Sequence, residues 1–303
     1  MILRYLKSIF GHARYFPLWS ALTVFKWRAF DIRSRALGTT FSVVIRWFPI
    51  ARRRFDREAK KAFPNMKRKA RNNLGREMGR NMGRTLFEIY HLSEFHTFTQ
   101  KFKVSGPGLD ALKDAYATGK GAIIVSGHFG QWEAIRAALK INGLESGAVY
   151  RPNTNRHYQR RLLAGIKEGG LPILETGKKG TRALVKHLRD GGIMSILLDE
   201  KVSEGTRIPF LGLDALTSLS AAQLALKYNI PMIPAYGIRI DDKNEFKVEF
   251  EEPIPHTDSL TMTRNFNDSL SKRIISNPAY GIRIDDKNEF KVEFEEPIPH
   301  TDS

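Results

Sequence analysis

The 303-residue chain contains no cysteine. This absence excludes disulfide bonds, thiol nucleophiles and zinc–thiolate sites together, and it fits a reducing compartment or the cytosolic face of a membrane. The chain also lacks a second histidine at metal-ligand spacing from His128, so we expect no metal site and no cofactor. Neither Ser126 nor Ser195 lies in a Gly-x-Ser-x-Gly elbow, which argues against a serine hydrolase.

Long apolar runs are missing from the basic N-terminal part of the chain. The apolar stretches 15–25 and 36–45 end at Lys26 and Arg46, short of the ~18 residues expected of a spanning helix. Acidic residues are also scarce there, because residues 1–84 carry 21 Lys/Arg but only four acids, while the remainder holds 28 of each sign. The whole net charge of +17 therefore belongs to this segment.

Basic residues interleaved with bulky apolar ones are typical of segments that lie in a membrane interface. We therefore predict that residues 1–100 form a basic helical region on the anionic cytoplasmic face of the inner membrane, bound peripherally or monotopically. An ordinary basic helical surface around a small core is the alternative. A nucleic-acid partner is not expected, because the aromatics form apolar clusters rather than alternating with base-reading side chains.

Residues 52–90 read as helix, broken near Pro64. Gly75, Gly79 and Gly83 recur every four residues, so they share one helical face and predict close packing against another helix.

From residue 104 onward helices and strands alternate. The pattern predicts an α/β domain over residues 101–277, with a mixed, mostly parallel sheet flanked by helices. The predicted strands are 121–126, 148–150, 172–175, 193–198, 232–240 and 246–250, and the predicted helices are 109–118, 131–141, 155–168, 181–189 and 218–228.

The last 26 residues, 278–303, repeat 234–259 without one change. Structural repeats usually drift in sequence, so a perfect copy indicates a recent duplication or an assembly artefact. One strand sequence would have to occupy two places. We therefore expect the second copy to be peripheral, poorly packed or disordered.

The most informative stretch is Gly-Ala-Ile-Ile-Val-Ser-Gly-His-Phe-Gly-Gln-Trp-Glu over 121–133. A buried strand delivers His128 to a glycine turn, and Glu133 follows in the first turn of a helix. In α/β folds, chemistry concentrates at the carboxyl ends of strands. An imidazole held by a carboxylate can take a proton from a hydroxyl, which favours group transfer onto an alcohol. Alone, the pair is more often a surface histidine followed by an acid that suits the helix dipole.

This stretch resembles the His-x4-Asp/Glu signature of the bacterial late acyltransferases of lipid A biosynthesis, the lauroyl/myristoyl family. It is also similar to the mycobacterial phosphatidylinositol mannoside acyltransferases. Three further blocks follow in the family's order and extend the resemblance over about residues 50–277. They begin at Tyr150-Arg-Pro, Leu197-Leu-Asp-Glu-Lys and Ile208-Pro-Phe-Leu-Gly. The chain departs from the family at Glu200, where an amide is usual, and after Asn277, where the repeat replaces an aromatic and basic ending.

The resemblance implies a catalytic pair in which His128 is the general base and Glu133 holds the imidazole in the useful tautomer. It also implies substrate-binding roles for residues of the other blocks. Arg151 and Lys201 would meet phosphates, and the remaining members would support the site or bind a headgroup; salt bridging by Arg151 and helix capping by Thr217 are the structural alternatives. The substrate-binding set is Arg151, Asn155, Asp199, Glu200, Lys201 and Thr217.

Together these features predict an O-acyltransferase. It would move a fatty acyl group from an acyl-carrier-protein or CoA thioester, used as co-substrate, to a hydroxyl of a membrane glycolipid such as a lipid A precursor. The basic segment would also favour an acidic carrier protein as partner. The alternatives are a phosphatidylinositol mannoside or lysophospholipid acyltransferase, and a non-catalytic protein that binds anionic membranes.

Overall fold

The computed structural model describes residues 20, 23, 26–153, 155–200, 202, 204–240 and 244–281. From residue 30 onward, three helices precede the sheet, followed by a short helix and a 3-10 turn. They are α1 (Phe30–Trp47), α2 (Pro49–Ala62), α3 (Arg68–Ile89), α4 (Leu92–Phe95) and the turn His96–Lys101. None of the helices in this described part of the chain is both long and apolar enough to cross a bilayer.

Strands and helices then alternate as the sequence pattern predicts. Up to the fifth strand the elements are β1 (Lys103–Ser105), α5 (Gly108–Ala117), β2 (Ala122–Ser126), α6 (Glu133–Ile141), β3 (Ser146–Tyr150), α7 (Arg156–Glu168), β4 (Ile173–Glu175), α8 (Lys178–Arg189) and β5 (Ile193–Leu197). The remainder comprises β6 (Thr206–Phe210), β7 (Leu213–Thr217), α9 (Ser220–Tyr228), β8 (Met232–Ile240), β9 (Glu245–Phe250), α10 (Ser259–Ser276) and the 3-10 turn Pro278–Tyr280.

Seven strands form one sheet in the order β1-β9-β8-β2-β5-β3-β4. Every pairing in it is parallel except the β8–β9 hairpin, which is antiparallel. The predicted mixed, mostly parallel α/β fold is therefore confirmed. A separate two-stranded hairpin, β6–β7, stands outside the sheet; neither it nor α10 was expected from the sequence pattern.

The central strand β2 is buried on both faces, as its unbroken apolar run indicates. Ala122 and Ile124 face a core that includes residues of α1, α3, α5 and α6, whereas Ile123 and Val125 face the core formed with α8, α9 and α10. The N-terminal helices thus share a core with the sheet. The boundary placed at residue 100 stays a prediction.

The predicted glycine face of α3 packs closely, as expected. A Cβ at Gly79 would lie 2.8 Å from the backbone of Phe41, and one at Gly83 would lie 2.6 Å from the carbonyl of Leu37. Helix α1 therefore lies directly on this face, at a distance that a side chain would prevent.

The second copy of the repeat begins inside the fold. Pro278–Tyr280 forms a 3-10 turn, and Gly281 bridges Phe129, next to His128. Residues 278–281 are half-buried and form no strand of the central sheet, and the expectation that the copy is peripheral stays a prediction. Residues 282–303 lie outside the described residues, and the expectation for them stays a prediction.

Candidate active site

Strand register brings His128 and Asp199 together at the carboxyl edge of the sheet. The parallel strands β2 and β5 pair Ser126 with Leu197. His128 and Asp199 each follow two residues later, so they leave neighbouring strands at the same level. At this edge an α/β sheet opens into a crevice, which is where such folds bind ligands.

Two hydrogen bonds join the pair. The backbone N–H of His128 donates to Oδ2 of Asp199 over 2.8 Å, and the imidazole Nδ1 lies 2.9 Å from Oδ1. Because a carboxylate only accepts, Nδ1 carries the proton, and Nε2 is the nitrogen that can take one. Both side chains are about nine-tenths buried, and the edge of Trp132 stands against the imidazole, with ring centroids 5.0 Å apart.

Glu133 has a different role from the one we predicted. Its carboxylate accepts from Nη1 of Arg136 over 2.9 Å, and both side chains are buried. Arg136 also donates to the carbonyls of Ser146, Ile166 and Gly170, which ties α6 to β3 and to the end of α7. The prediction that Glu133 orients the imidazole is therefore wrong, because Asp199 occupies that position and Glu133 balances a buried structural arginine.

The turn that carries His128 is braced from three sides. Thr85 of α3 donates to the carbonyl of Gly130, and the N–H of Gly130 donates to the carbonyl of Tyr280. The N–H of Gln131 donates to the carbonyl of Gly237 in β8. Gly130 has φ 61°, and a Cβ there would lie 2.1 Å from the Gly237 carbonyl, so only glycine fits.

A buried polar cluster lies behind this turn. Glu88 of α3 is fully buried and accepts from Arg239 Nη2 (2.6 and 2.7 Å), from the Ser34 hydroxyl (2.9 Å) and from Gln131 Nε2 (2.7 Å). Gln131 in turn accepts from the backbone N–H of Glu133 over 3.2 Å. One carboxylate thus links α1, α3 and β8 to the residues just after His128.

Arg151 and Glu200 meet each other at the sheet edge. Their side chains form an ion pair of 3.4 Å, and each is more than one-third exposed. Salt bridging was the structural alternative to phosphate binding for Arg151. The paired side chains lie at the solvent-exposed ends of the strands. Phosphate or headgroup binding by either residue stays a prediction.

The other predicted binding residues have structural contacts. Asn155 caps α7, its Oδ1 accepting from the N–H of His157 over 3.0 Å. Thr217 is buried, and its hydroxyl accepts from Nδ2 of Asn267 over 3.3 Å. The N–H of Ser220, the first residue of α9, donates to the hydroxyl of Ser218 rather than to Thr217. Substrate binding by Asn155 and Thr217 stays a prediction, and Lys201 lies outside the described residues.

Tyr150, the first residue of the Tyr-Arg-Pro block, is hydrogen-bonded through its hydroxyl to the end of β4. Its hydroxyl donates to Glu175 over 2.7 Å and accepts from Gln159 over 3.0 Å. Burial, with the adjacent Glu175 carboxylate, raises the pKa of Tyr150 to about 12. Tyr150 therefore remains protonated near neutral pH and acts as a hydrogen-bond donor to Glu175.

A large apolar cavity opens beside His128. It encloses about 1110 Å³, including its open mouth, and His128 and Asp199 form part of its wall. The rest is built mainly from apolar side chains of α2, α3 and the β6–β7 hairpin. These apolar side chains include Phe55, Leu74, Met78, Met82, Phe210 and Leu211.

Sequence reasoning missed this cavity. Met78 and Met82 are spaced four apart, each next to a glycine of the packed α3 face, so their periodicity was visible. Their partners come from the β6–β7 hairpin, more than 120 positions later, and no local pattern joins the two. Among the described residues, no three His, Asp or Glu side chains converge as metal ligands.

The fold and site together point to an enzyme class, since a histidine–carboxylate pair at the edge of an α/β sheet borders a mainly apolar cavity. The family model for bacterial lipid A biosynthesis acyltransferases matches residues 7–280. The chain belongs to this family, and it is an acyltransferase of lipid A biosynthesis. A search of curated proteins finds no significant match.

Proposed function

We propose that the protein transfers a fatty acyl group from a thioester of acyl-carrier protein or CoA to a hydroxyl of a membrane-bound lipid A precursor. The observation that carries the proposal is the placement of the His128–Asp199 pair in the wall of a mainly apolar cavity. A general base beside a cavity that has room for a hydrocarbon chain suits a reaction between an acyl donor and a hydroxyl acceptor.

The mechanism needs one base and no covalent enzyme intermediate. Nε2 of His128 takes the proton of the acceptor hydroxyl as its oxygen attacks the thioester carbonyl. The C–S bond breaks, the thiolate leaves with the electron pair, and the imidazolium returns the proton to the sulfur. Asp199 keeps the proton on Nδ1 and stabilises the imidazolium that forms. No metal ion or organic cofactor is required for these steps.

Mass spectrometry of lipids from cells with and without the protein tests this function. A mass increase of one acyl chain on a lipid A precursor is the expected result. The same increase on a phosphatidylinositol mannoside or a lysophospholipid would identify one of the alternative acceptors. No change in any lipid would contradict the acyltransferase assignment for this chain.

The acyl chain is proposed to lie along α3, away from His128. Thr85 binds the carbonyl of Gly130 in the turn that carries His128, and Met82, Met78 and Leu74 follow on successive turns of the helix. A chain that starts at the imidazole can follow this row of side chains, and each buried methylene contributes about 0.8 kcal/mol.

Narrowing this cavity should shorten the preferred acyl chain. Met78→Trp removes room for at least two methylenes, so transfer of the longest accepted chain should fall about tenfold relative to shorter chains. Competition between thioesters of different length measures the ratio. Glu77→Trp, on the exposed face of the same helix, is the control and should leave the ratio unchanged; an unchanged ratio in Met78→Trp would place the chain elsewhere.

The elbow between α1 and α2 is proposed to bind the membrane surface. Trp47, Phe48 and Ile50 are 68, 62 and 81% exposed, and Arg46, Arg52 and Arg53 beside them are also exposed. Exposed aromatics flanked by arginines are typical of segments in the headgroup region of anionic bilayers. Ile45 and Ala51, on either side of the elbow, line the cavity, so lipid could enter from the bilayer.

Removing the elbow's aromatics should weaken vesicle binding. Trp47→Ser with Phe48→Ser should lower partitioning onto anionic vesicles by about tenfold or more, because burial of each side chain contributes about 1.5–3 kcal/mol. Binding of the wild type should also fall as salt increases. Tyr116→Ser, at an exposed aromatic on α5, is the control. Equal binding by the double variant and the wild type, or wild-type binding to DNA of similar strength, would contradict the assignment.

A further inference from the structure

One acidic side chain lines the apolar part of the cavity. Glu58 of α2 belongs to the cavity wall together with Phe55, Ala59 and Leu74. Its side chain is 7% exposed. Oε1 accepts from Nε of Arg57 over 2.6 Å, while Oε2 is buried and accepts no hydrogen bond from any residue that the structure describes. Nζ of Lys61 forms an ion pair with Oε2 at 3.9 Å, which is beyond hydrogen-bond distance.

Buried carboxylate oxygens are normally satisfied, because an unpaired one costs the whole desolvation free energy of the group. The wall around Glu58 contains apolar side chains and one cation, Arg54, and the charge of Glu58 is balanced by ion pairs with Arg57 and Lys61. These ion pairs still leave Oε2 without a hydrogen bond from any described residue, and an acceptor of this kind in a cavity wall indicates a donor on the ligand.

Glu58 lies far from the reacting centre. Gly75 of α3 packs on the ring of Phe55, and Arg71 pairs with Asp56 over 3.2 Å, so this part of α2 lies beside the first turns of α3. Thr85, which bonds the His128 turn, lies ten to fourteen residues further along α3. At 1.5 Å per residue this separation is about 15–20 Å along the helix axis.

We propose that Oε2 of Glu58 binds a hydroxyl group carried by the acyl chain at a position remote from the thioester carbonyl, so that the cavity is selective for chains hydroxylated near their far end. The inference rests on the proposed function in placing the acyl chain along α3. A single O–H donor on an otherwise apolar ligand matches one acceptor oxygen in a wall that is mainly apolar, whereas a sugar headgroup would leave most of its hydroxyls unpaired there.

Binding of free fatty acids tests the proposal without turnover. The full chain in detergent is titrated with saturated fatty acids of a series of lengths, and with their ω-hydroxy and β-hydroxy derivatives. At one length the ω-hydroxy acid should bind about tenfold more tightly than the plain acid, as expected for a hydrogen bond to a charged acceptor. The β-hydroxy acid, whose hydroxyl would lie near His128, should show no such gain.

Substitutions of Glu58 test whether this residue is responsible for the tighter binding of the ω-hydroxy acid. Glu58→Leu should abolish the preference for the ω-hydroxy acid while plain acids still bind, and Glu58→Gln should retain part of it through its amide oxygen. Glu77→Leu, which removes an exposed acid of α3, should keep the whole preference.

The outcomes separate this proposal from the proposed function. If plain and ω-hydroxy acids bind equally at every length, or if Glu58→Leu keeps the preference, the role of Glu58 is overturned and the acyl cavity stands. If no fatty acid binds at all, the placement of the acyl chain fails, and the proposal fails with it. Thermal unfolding of each variant confirms that it is folded.

Discussion

Asp199→Asn should abolish most acyl transfer, nearly as completely as His128→Ala. Both oxygens of Asp199 accept from His128, one from the backbone N–H and one from Nδ1. An asparagine has one acceptor, and the backbone N–H must keep it, because two donors facing each other repel. The amide NH₂ then donates to Nδ1, the proton moves to Nε2, and the base is lost. We expect the rate to fall by roughly 10²–10⁴-fold in each variant.

Glu133→Gln is the decisive comparison. Glu133 pairs with Arg136 in the interior, so this variant should lose stability while keeping His128, the proposed base, in place. Acyl transfer per folded molecule, measured with a thioester donor at a temperature well below unfolding, should stay within a few-fold of wild type. If Glu133→Gln lost transfer while folded and Asp199→Asn remained active, the original sequence interpretation would be correct and the assignment of Asp199 wrong.

The exchange of roles between Glu133 and Asp199 shows where sequence reasoning stops. His128 and Asp199 each come within two residues of the end of a predicted strand, 121–126 and 193–198, so the sequence pattern is compatible with a shared sheet edge. The contact of Asp199 with the imidazole depends on β5 lying next to β2, although β3 and β4 come between them in the chain. The order of the strands in the sheet depends on how the helices pack on its two faces, and no local sequence pattern encodes that packing. The sequence favours Glu133 as the partner of the imidazole because it lies only five residues after His128.

Periodic segments were predicted well, and segments whose structure depends on distant partners were not. The strand at 232–240 was predicted with the bounds observed, and the glycine face of α3 packs as expected. The β6–β7 hairpin was not predicted as strands, although it supplies part of the cavity wall. Its apolar residues pack on helices that are distant in the sequence, so the local sequence pattern does not distinguish the hairpin from a loop.

The repeat gives a direct case of context overriding sequence. Pro-Ala-Tyr-Gly at 234–237 lies inside strand β8, whereas the identical residues at 278–281 form a 3-10 turn and a bridge. In the first position the neighbours β2 and β9 supply ladder partners. In the second, Ala279 accepts from Asn81 of α3 and Tyr280 accepts from Gly130. Four residues cannot specify both structures, so the surroundings decide.

Removing Glu88 should cause the largest loss of stability among single substitutions at the site. Glu88→Ala leaves the buried Arg239 without this carboxylate, and also removes the acceptor of Ser34 and Gln131. Breaking a buried ion pair from one side costs about 3–5 kcal/mol, which should lower the unfolding midpoint by about 10 °C. Asp190→Ala, which breaks an exposed pair with Lys186, should change it by less than about 2 °C and serves as the control.

A double variant separates folding from positioning in this cluster. Glu88→Leu with Arg239→Leu replaces both charges by apolar groups, so much of the lost stability should return. Gln131 would still lack its acceptor, and the turn that carries His128 would be less firmly held. We therefore expect a folded protein whose transfer rate is about tenfold below wild type, since small errors in the position of a base reduce catalysis strongly. A double variant as active as wild type would show that the Glu88 cluster stabilises the fold only, and that the contacts of Gly130 and Gln131 with the backbone position the histidine.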